Sequence, residues 1–366
     1  MAKFALLHGA KENSGDFLIR DAAKSLLINV GGIDEEELLM VDVVRENVPN
    51  SVMDEISDTK AAFLAGGPGY QPDFYPGVYP SMKDLLDATT VVPLGPGWKG
   101  IDEDKYTFTV ESTKLLQRIA EQDQVPYLGA RDIPTVRVLR KHGVAAELTG
   151  CPAWYYPDGF PPSRVFDPPS QINEIIVSSP PQNSTKYMIQ YYILIQNLLE
   201  KYPGSVITCA FHRGEHKNAH IPIIGYPWEK ATWAANTSAI LYKYISKIGK
   251  ENDRIKIFDA SQSADYINRY SKADLHVGYR VHGHIPALAA GIPSFLLQID
   301  GRGFGVSESL ETPGDVSARQ GIYRPISDVM ESISNSISNA YSDFESVDEN
   351  RMHAYENMTS LISPIL

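Results

Sequence analysis

Asp274-Leu275-His276-Val277-Gly278-Tyr279-Arg280-Val281-His282-Gly283-His284-Ile285-Pro286-Ala287-Leu288-Ala289-Ala290-Gly291-Ile292-Pro293-Ser294-Phe295 reads as a short buried strand, an abrupt polar turn, a short helix and a second buried strand. An arginine and two histidines stand where the strand ends and the helix begins. An open α/β sheet holds its ligand at that point. The first N–H groups of a helix are unpaired there, and with Arg280 beside them they make an anion site.

The same pattern recurs along the chain. Phe4 to Leu7 is an apolar run of the buried parallel-strand type, followed by a polar turn ending in Asn13-Ser14-Gly15-Asp16 and then a helical pattern. That turn is not G-x-G-x-x-G, so a dinucleotide fingerprint is absent. Leu38 to Val44, Ala61 to Leu64, Val91 to Leu94 and Val125 to Leu128 read as further strands, and Thr135 to His142 as a helix. The glycines after these strands, Gly66 and Gly67 among them, let the backbone approach a ligand closely. Any one such turn is unremarkable, but four on one domain suggest a cleft.

A proline-rich stretch from Tyr155 to Ser170 suits an ordered linker. After it the pattern starts again, with strands at Glu174 to Ser178, Ser205 to Ala210 and Arg254 to Phe258. Helices are expected at Thr185 to Lys201, Trp228 to Ile248 and Ser261 to Ser271, the last capped by Ser261 or Ser263. Ser294 to Gln298 is the outgoing strand, and Ile326 to Ile365 reads as one or two amphipathic helices. The fold class expected is α/β, with two Rossmann-like doubly wound domains facing a cleft. The boundaries expected are 1–165, 166–325 and a helical tail, 326–366, that crosses back onto the first domain.

Composition limits the function. At 366 residues the chain is long for one core. Its 43% hydrophobic and 21% charged content is ordinary for a soluble protein. A net charge of −12 and a pI near 5.2 argue against nucleic-acid and anionic-membrane partners. An anionic substrate would then need a local cluster of Arg and His. Two cysteines, Cys151 and Cys209, make no disulfide framework and suggest a reducing compartment, hence a cytoplasmic protein. No apolar run spans a membrane, and the first residues do not read as a signal peptide.

Three constellations carry candidate chemistry. Arg280, His282 and His284 come first: a permanently charged planar fork for carboxylate or phosphate beside imidazoles that exchange protons near neutral pH. His212-Arg213-Gly214-Glu215-His216, with His220, comes second, and Arg213 is its candidate anion ligand. The histidine spacing of four would suit zinc on a helix, but Gly214 and the strand context oppose a helix, so no metal is expected. Asn13, Ser14, Gly15 and Asp16 come third, with Asp16 placed to orient or deprotonate a hydroxyl and Ser14 to cap the helix. Arg131-Asp132 reads as an ion pair or cap.

With these residues in view, the chain resembles the polysaccharide pyruvyl transferase family. The shared features run in one order: Asn13-Ser14-Gly15-Asp16, Ala65-Gly66-Gly67-Pro68-Gly69, Ala130-Arg131-Asp132 with its helix, Arg280-Val281-His282, and Gly291-Ile292-Pro293. The resemblance implies a B-type glycosyltransferase-like fold and transfer of a pyruvyl group from phosphoenolpyruvate to sugar hydroxyls as a ketal. It implies no cofactor, a small-molecule donor and a glycan or glycolipid acceptor. The catalytic residues it implies are His282 as acid, Arg280 as clamp and Asp16 at the acceptor. Substrate contacts are expected from Arg213, Asn13, Gly15, Gly66, Gly67, His284 and Arg302. Gln298-Ile299-Asp300-Gly301-Arg302-Gly303 stands where many relatives carry Tyr and Lys, so either Arg302 takes over the lysine's charge or the acceptor differs. Two other readings compete. A B-type glycosyltransferase using a nucleotide sugar would need a ribose-holding carboxylate, such as Glu308. A non-catalytic carbohydrate- or anion-binding protein of the same fold would need none of the acid chemistry.

Overall fold

A computed structural model of the chain describes residues 2–10, 14–156, 169–180, 184–212, 230–261 and 264–366, with backbone alone for 230–238 and 264. The first half holds β1 (Phe4–His8), α1 (Ser14–Asn29), β2 (Leu38–Asp42), α2 (Asn50–Ser57), β3 (Ala61–Leu64), α3 (Met82–Ala88), β4 (Thr90–Pro93), α4 (Val110–Ala120), β5 (Leu128–Ala130), α5 (Ile133–Lys141) and β6 (Ala146–Leu148). The second holds β7 (Glu174–Ser178), α6 (Thr185–Lys201), β8 (Val206–Phe211), α7 (Lys230–Glu251), β9 (Ile255–Asp259), α8 (Ile267–Tyr270), β10 (Leu275–Gly278), α9 (Val281–Ala289), β11 (Ser294–Gln298), α10 (Gly301–Leu310) and β12 (Val316–Ser317). Two helices close the chain, α11 (Arg324–Ser338) and α12 (Glu345–Ile362).

Among the described residues every strand pair is parallel. The first sheet runs β2-β1-β3-β4, with β5-β6 pairing beyond it, and the second runs β12-β11-β10-β7-β8-β9. Chain order reverses between β1 and β3 in the first sheet and between β7 and β10 in the second. Those reversals are the switch points at which doubly wound sheets bind ligands. Parallel strands covered on both faces must be apolar throughout, and β3 and β10 are buried at every residue. On α6, Tyr191, Leu194, Ile195 and Leu198 face the second sheet, each fully buried apolar side chain contributing about 1.5–3 kcal/mol.

The expected boundary at 165/166 falls within 157–168, outside the described residues. The two tail helices part company. Helix α11 lies along α6, β11 and β12 in the second half, whereas α12 packs on β6 and α10. Tyr127 donates to the Asn357 carbonyl and Asn357 to the Leu148 carbonyl. Arg351, 2% exposed, donates to the Trp154 carbonyl and pairs with Asp348, so the last helix is tied to the first half.

Two local expectations change. Ser261 to Ser271 is not one helix: a 3-10 turn (Ala264–Tyr266) leads into the single turn of α8. Asp259 takes both the N–H and the hydroxyl of Ser261, so that serine closes a turn instead of capping a helix. Helix α10 was not foreseen, because three glycines interrupt it at about 1 kcal/mol each. Tertiary packing offsets that cost: a side chain on Gly301 would strike the Gly100 carbonyl, and one on Gly305 would sit 2.6 Å from Asp132 Cγ. Asp132 itself is both cap and ion-pair partner, accepting from Thr135 and from Arg131.

Candidate functional site

At the second switch point β7 ends in Ser178 and β10 in Gly278. Gly278 has φ +154°, and a side chain there would collide with Ser178. The glycine lets the chain turn sharply into Arg280, which precedes α9 as its cap residue. Arg280 is 7% exposed, and its guanidinium donates to the carbonyls of Ser179 (2.9 Å) and Pro180 (3.3 Å). His282 lies in the first turn of α9, half-buried, with its carbonyl held by the Tyr266 hydroxyl at 2.8 Å.

The first half supplies the opposing wall. A methyl group on Gly15 would run into Nδ1 of His282, so the imidazole rests directly on the α1 backbone. Beside it Ser14, fully buried, faces His212, with its hydroxyl 3.3 Å from Nδ1, while Nε2 of His212 meets the Tyr270 hydroxyl at 2.7 Å. The Ser14 hydroxyl therefore bridges to the second half, where helix capping was expected of it. Burial, reinforced by Arg280, His282 and His276, pushes the pKa of His212 well below the ordinary histidine range, so its ring is neutral.

Two hollows flank this contact. One, of about 30 Å³, is lined by Arg280, His282, His212, Gln298, Asp300 and Arg302. Arg302 reaches it with its charge already shared, since its guanidinium forks onto Asp300 at 2.7 and 3.0 Å. Burial would raise the pKa of Asp300, but the bonds from Arg302 outweigh it and hold the carboxyl below its usual value. The other hollow, of about 180 Å³, opens at the first switch point, between the ends of β1 and β3. Asp16, Gly66 and Gly67 line it as expected from their turns, together with His8, Arg20, Arg45 and Tyr79. Gly67 has φ +106°, and Arg45 holds φ +62°, a conformation that costs a side-chain-bearing residue about 1–3 kcal/mol. Burial lowers the pKa of His8.

The sequence placed Arg280, His282, Asp16, Gly15, Gly66, Gly67 and Arg302 around a cleft, and all of them line these two hollows or the contact between them. Asn13, Arg213, His216 and His220 lie outside the described residues. His284 does not line the site. It points into the protein, fully buried, with Nδ1 2.7 Å from Ser294 Oγ and Nε2 3.5 Å from Asp315, and has no surface to offer a substrate. It stands two positions after His282, roughly 200° further round the helix, which turns it under the helix, toward the sheet. Glu308 is also spoken for, bound by Arg137 on the protein surface. His8 went unnoticed, although its position as the last residue of β1 was the available signal. Among the described residues, no three His, Cys, Asp or Glu side chains converge so as to hold a metal ion. Cys151 and Cys209 are free and buried, their thiols pushed up to about 11 and about 12 by burial, and neither is a nucleophile. No described helix is long and apolar enough to cross a membrane.

Solved structures share the architecture. MnaA of S. aureus, solved with UDP, superposes with a TM-score of 0.57 at 13% identity, covering 97% of this chain and 94% of that one. The UDP-GlcNAc 2-epimerase of Neisseria meningitidis bound to UDP-GlcNAc gives 0.55 at 11%, covering 98% of each. Trehalose-6-phosphate synthase OtsA gives 0.54 at 10%, covering 100% and 99%. At these identities the likeness establishes the fold: two Rossmann-like units in the manner of B-type glycosyltransferases. No curated protein sequence matches the chain. The sequence profile of the polysaccharide pyruvyl transferases does match, from residue 13 to residue 301, a span that includes Asp16, Gly66 and Gly67 and the turn that joins Arg280 to His282. The chain belongs to the polysaccharide pyruvyl transferase family, and is a transferase.

Proposed function

We propose that the protein moves a pyruvyl group from phosphoenolpyruvate onto two hydroxyls of a sugar in a glycan or glycolipid precursor, forming a cyclic ketal. The observation that carries this reading is the meeting of Arg280 and His282 at the second switch point, with the His282 ring seated against Gly15 of the opposite half. Arg280 holds the donor's carboxylate or phosphate, with Arg213 a further clamp. Arg302 contributes less, its charge being offset by Asp300. His282 delivers a proton to C3 of the enol, and the cation developing at C2 is captured by the first hydroxyl. Departure of phosphate regenerates a cation, which the second hydroxyl captures. Of the two hydroxyl protons displaced, one replaces the proton given to C3 and the other leaves with phosphate. The acceptor occupies the wider hollow beside Asp16, Gly66 and Gly67, with Asp16 orienting the attacking hydroxyl. We place the reaction in the cytoplasm, where free, buried cysteines such as Cys151 and Cys209 are at home.

A second reading, a nucleotide-sugar enzyme, draws on the UDP held by MnaA and the UDP-GlcNAc held by the Neisseria epimerase. It calls for a carboxylate free to bind ribose, and Glu308 is bound by Arg137. A third, carbohydrate binding without catalysis, gives the acid no task. The deciding measurement offers the protein 13C-labelled phosphoenolpyruvate, UDP-sugars and GDP-sugars in turn, with a panel of glycan acceptors. Inorganic phosphate with a labelled ketal methyl signal is expected. Nucleotide release instead, or phosphoenolpyruvate left intact with every acceptor, would sink the reading.

A further inference from the structure

Beneath the Arg280 turn runs a line of buried polar side chains that line neither hollow. The Arg280 backbone N–H donates to Ser178 Oγ at 3.2 Å, and Ser178 Oγ lies 3.0 Å from Nε2 of His276. Nδ1 of His276 lies 2.6 Å from Ser294 Oγ, which lies 2.7 Å from Nδ1 of His284. Nε2 of His284 faces Asp315 at 3.5 Å, a charge–dipole contact rather than a full hydrogen bond. Ser178, His276, Ser294 and His284 are all 0% exposed. We propose that Ser178, His276, Ser294, His284 and Asp315 are positioning residues: a one-way chain of hydrogen bonds that fixes the backbone of Arg280 and, two residues on, the ring of His282.

The direction follows from the proton count. Ser294 has one hydroxyl proton and stands between two Nδ1 atoms, so one ring must donate to it and the other accept from it. Suppose Ser294 donated to His276. His284 would then carry its proton on Nδ1 and turn a bare Nε2 lone pair on the Asp315 carboxylate. His276 would donate from Nε2 to Ser178, which already accepts the Arg280 N–H and would have no acceptor for its own proton among the described contacts. The opposite arrangement gives Ser178 an acceptor for its proton and turns an N–H of His284, not a lone pair, toward the Asp315 carboxylate. Arg280 N–H donates to Ser178, Ser178 to His276 Nε2, His276 Nδ1–H to Ser294, Ser294 to His284 Nδ1, and His284 Nε2–H points at Asp315. Burial lowers the pKa of both histidines, which keeps each ring neutral with the single proton this arrangement requires.

The far end is anchored. The Asp315 carboxylate accepts the Leu296 N–H and the Thr312 hydroxyl, each at 2.6 Å, and the Ser307 hydroxyl. At the near end the glycine at 278 admits Ser178, since a side chain there would occupy the hydroxyl's place. The chain thus joins β7, β10, α9, β11 and the approach to β12, so the turn that carries the acid is held from below by most of the second sheet. Aligned hydrogen bonds polarise and strengthen one another, and with every group buried the arrangement has no water to exchange with.

The inference rests on Arg280 as the donor clamp for its catalytic meaning, but its test does not need substrate. In protein labelled with 15N-histidine, long-range proton–nitrogen spectra at pH 7.5 report the tautomer of each ring. His276 is expected protonated on Nδ1 and His284 on Nε2. The reverse pair, or a charged ring at either position, overturns the proposal. In Ser294→Ala the Arg280 amide resonance should move, and in Ser294→Thr, which keeps the hydroxyl, it should return. An unmoved resonance also overturns it. Where phosphate release is measured, Ser294→Ala should lower kcat about 10-fold with little change in the donor KM. Predicted tautomers in a protein that leaves phosphoenolpyruvate intact would refute the pyruvyl-transfer reading and leave the positioning chain standing.

Discussion

The two switch points share a topology and differ in almost everything else. In the first half, the hollow between β1 and β3 is roomy, about 180 Å³, and its floor is bare backbone at Gly66 and Gly67. In the second half the space is about 30 Å³, room for roughly two waters. Its polar side chains are held in place, Arg302 on Asp300, Arg280 on two backbone carbonyls and His212 on Tyr270. A roomy hollow with a glycine floor, its charged side chains Asp16, Arg20 and Arg45 set around it, tolerates variation in what enters it. A cage of fixed donors suits one small anion and a reaction in which charge develops at known atoms. Under the proposed function, parallel sheets of one architecture serve breadth on one side and chemistry on the other.

If that contrast is right, the largest loss should come from the second half. His282→Gln is expected to lower kcat for phosphate release by about 10²–10⁴-fold, the usual worth of a general acid, with the donor KM little changed. Near-normal turnover in that variant would remove the acid from His282. Gly15→Ala probes the meeting of the halves. Its methyl displaces the His282 ring, and a shift of about 1 Å should lower turnover by about 100-fold. A full rate in Gly15→Ala would mean that the contact plays no part in the reaction.

Acid sensitivity should also reside mostly in the second half, where, among the described residues, three histidines lowered by burial stand against His8 alone in the first. His212, His276 and His284 are held neutral by burial, their pKa values below the ordinary value, whereas the unfolded chain takes up protons near pH ~6.5. The unfolded state therefore binds more protons as pH falls below that value, and stability present at pH 7.5 is lost on the way to pH 5.5. Each ring contributes at most about 1.4 kcal/mol per pH unit. Calorimetric Tm values across that range should fall, and His276→Gln should flatten the slope. An unchanged slope would show that His276 is charged in the native protein.

The smallest effect is expected in the first half. At Gly67 the nearest atom to an added methyl is Ile19 Cδ1 at 3.7 Å, so Gly67→Ala meets backbone strain without a clash. It should lose about 1 kcal/mol of stability and raise the acceptor KM several-fold, leaving the donor KM alone. An equal rise in both KM values would erase the distinction between the two hollows.

How far the sequence foretold this depends on the range over which each feature is determined. Strands β3 and β7 and helix α6 start and stop where the apolar pattern does, because burial against a sheet leaves a local signature. The Arg280–His282 turn was legible for the same reason, with chemistry and strand end standing together in one stretch. Helix α10 was not, since its glycines make sense only against Gly100 and Asp132, far away in the chain. For His284 the sequence supports either a substrate contact or packing on the helix side, and Ser294 and Asp315 beneath it decide for packing. Its link to Ser178 through Ser294 and His276 joins strands that are neighbours in the sheet and about a hundred residues apart in sequence. No pattern of period two or 3.6 reports such a pairing.

The contact between Gly15 and His282 also has a meaning in time. An acid whose ring is seated by the opposite half is in register only while the halves are together. Under the proposed reaction this ties chemistry to closure: any movement that parted the halves would carry the ring off Gly15 and leave an activated enol phosphate without its acid just where water could reach it.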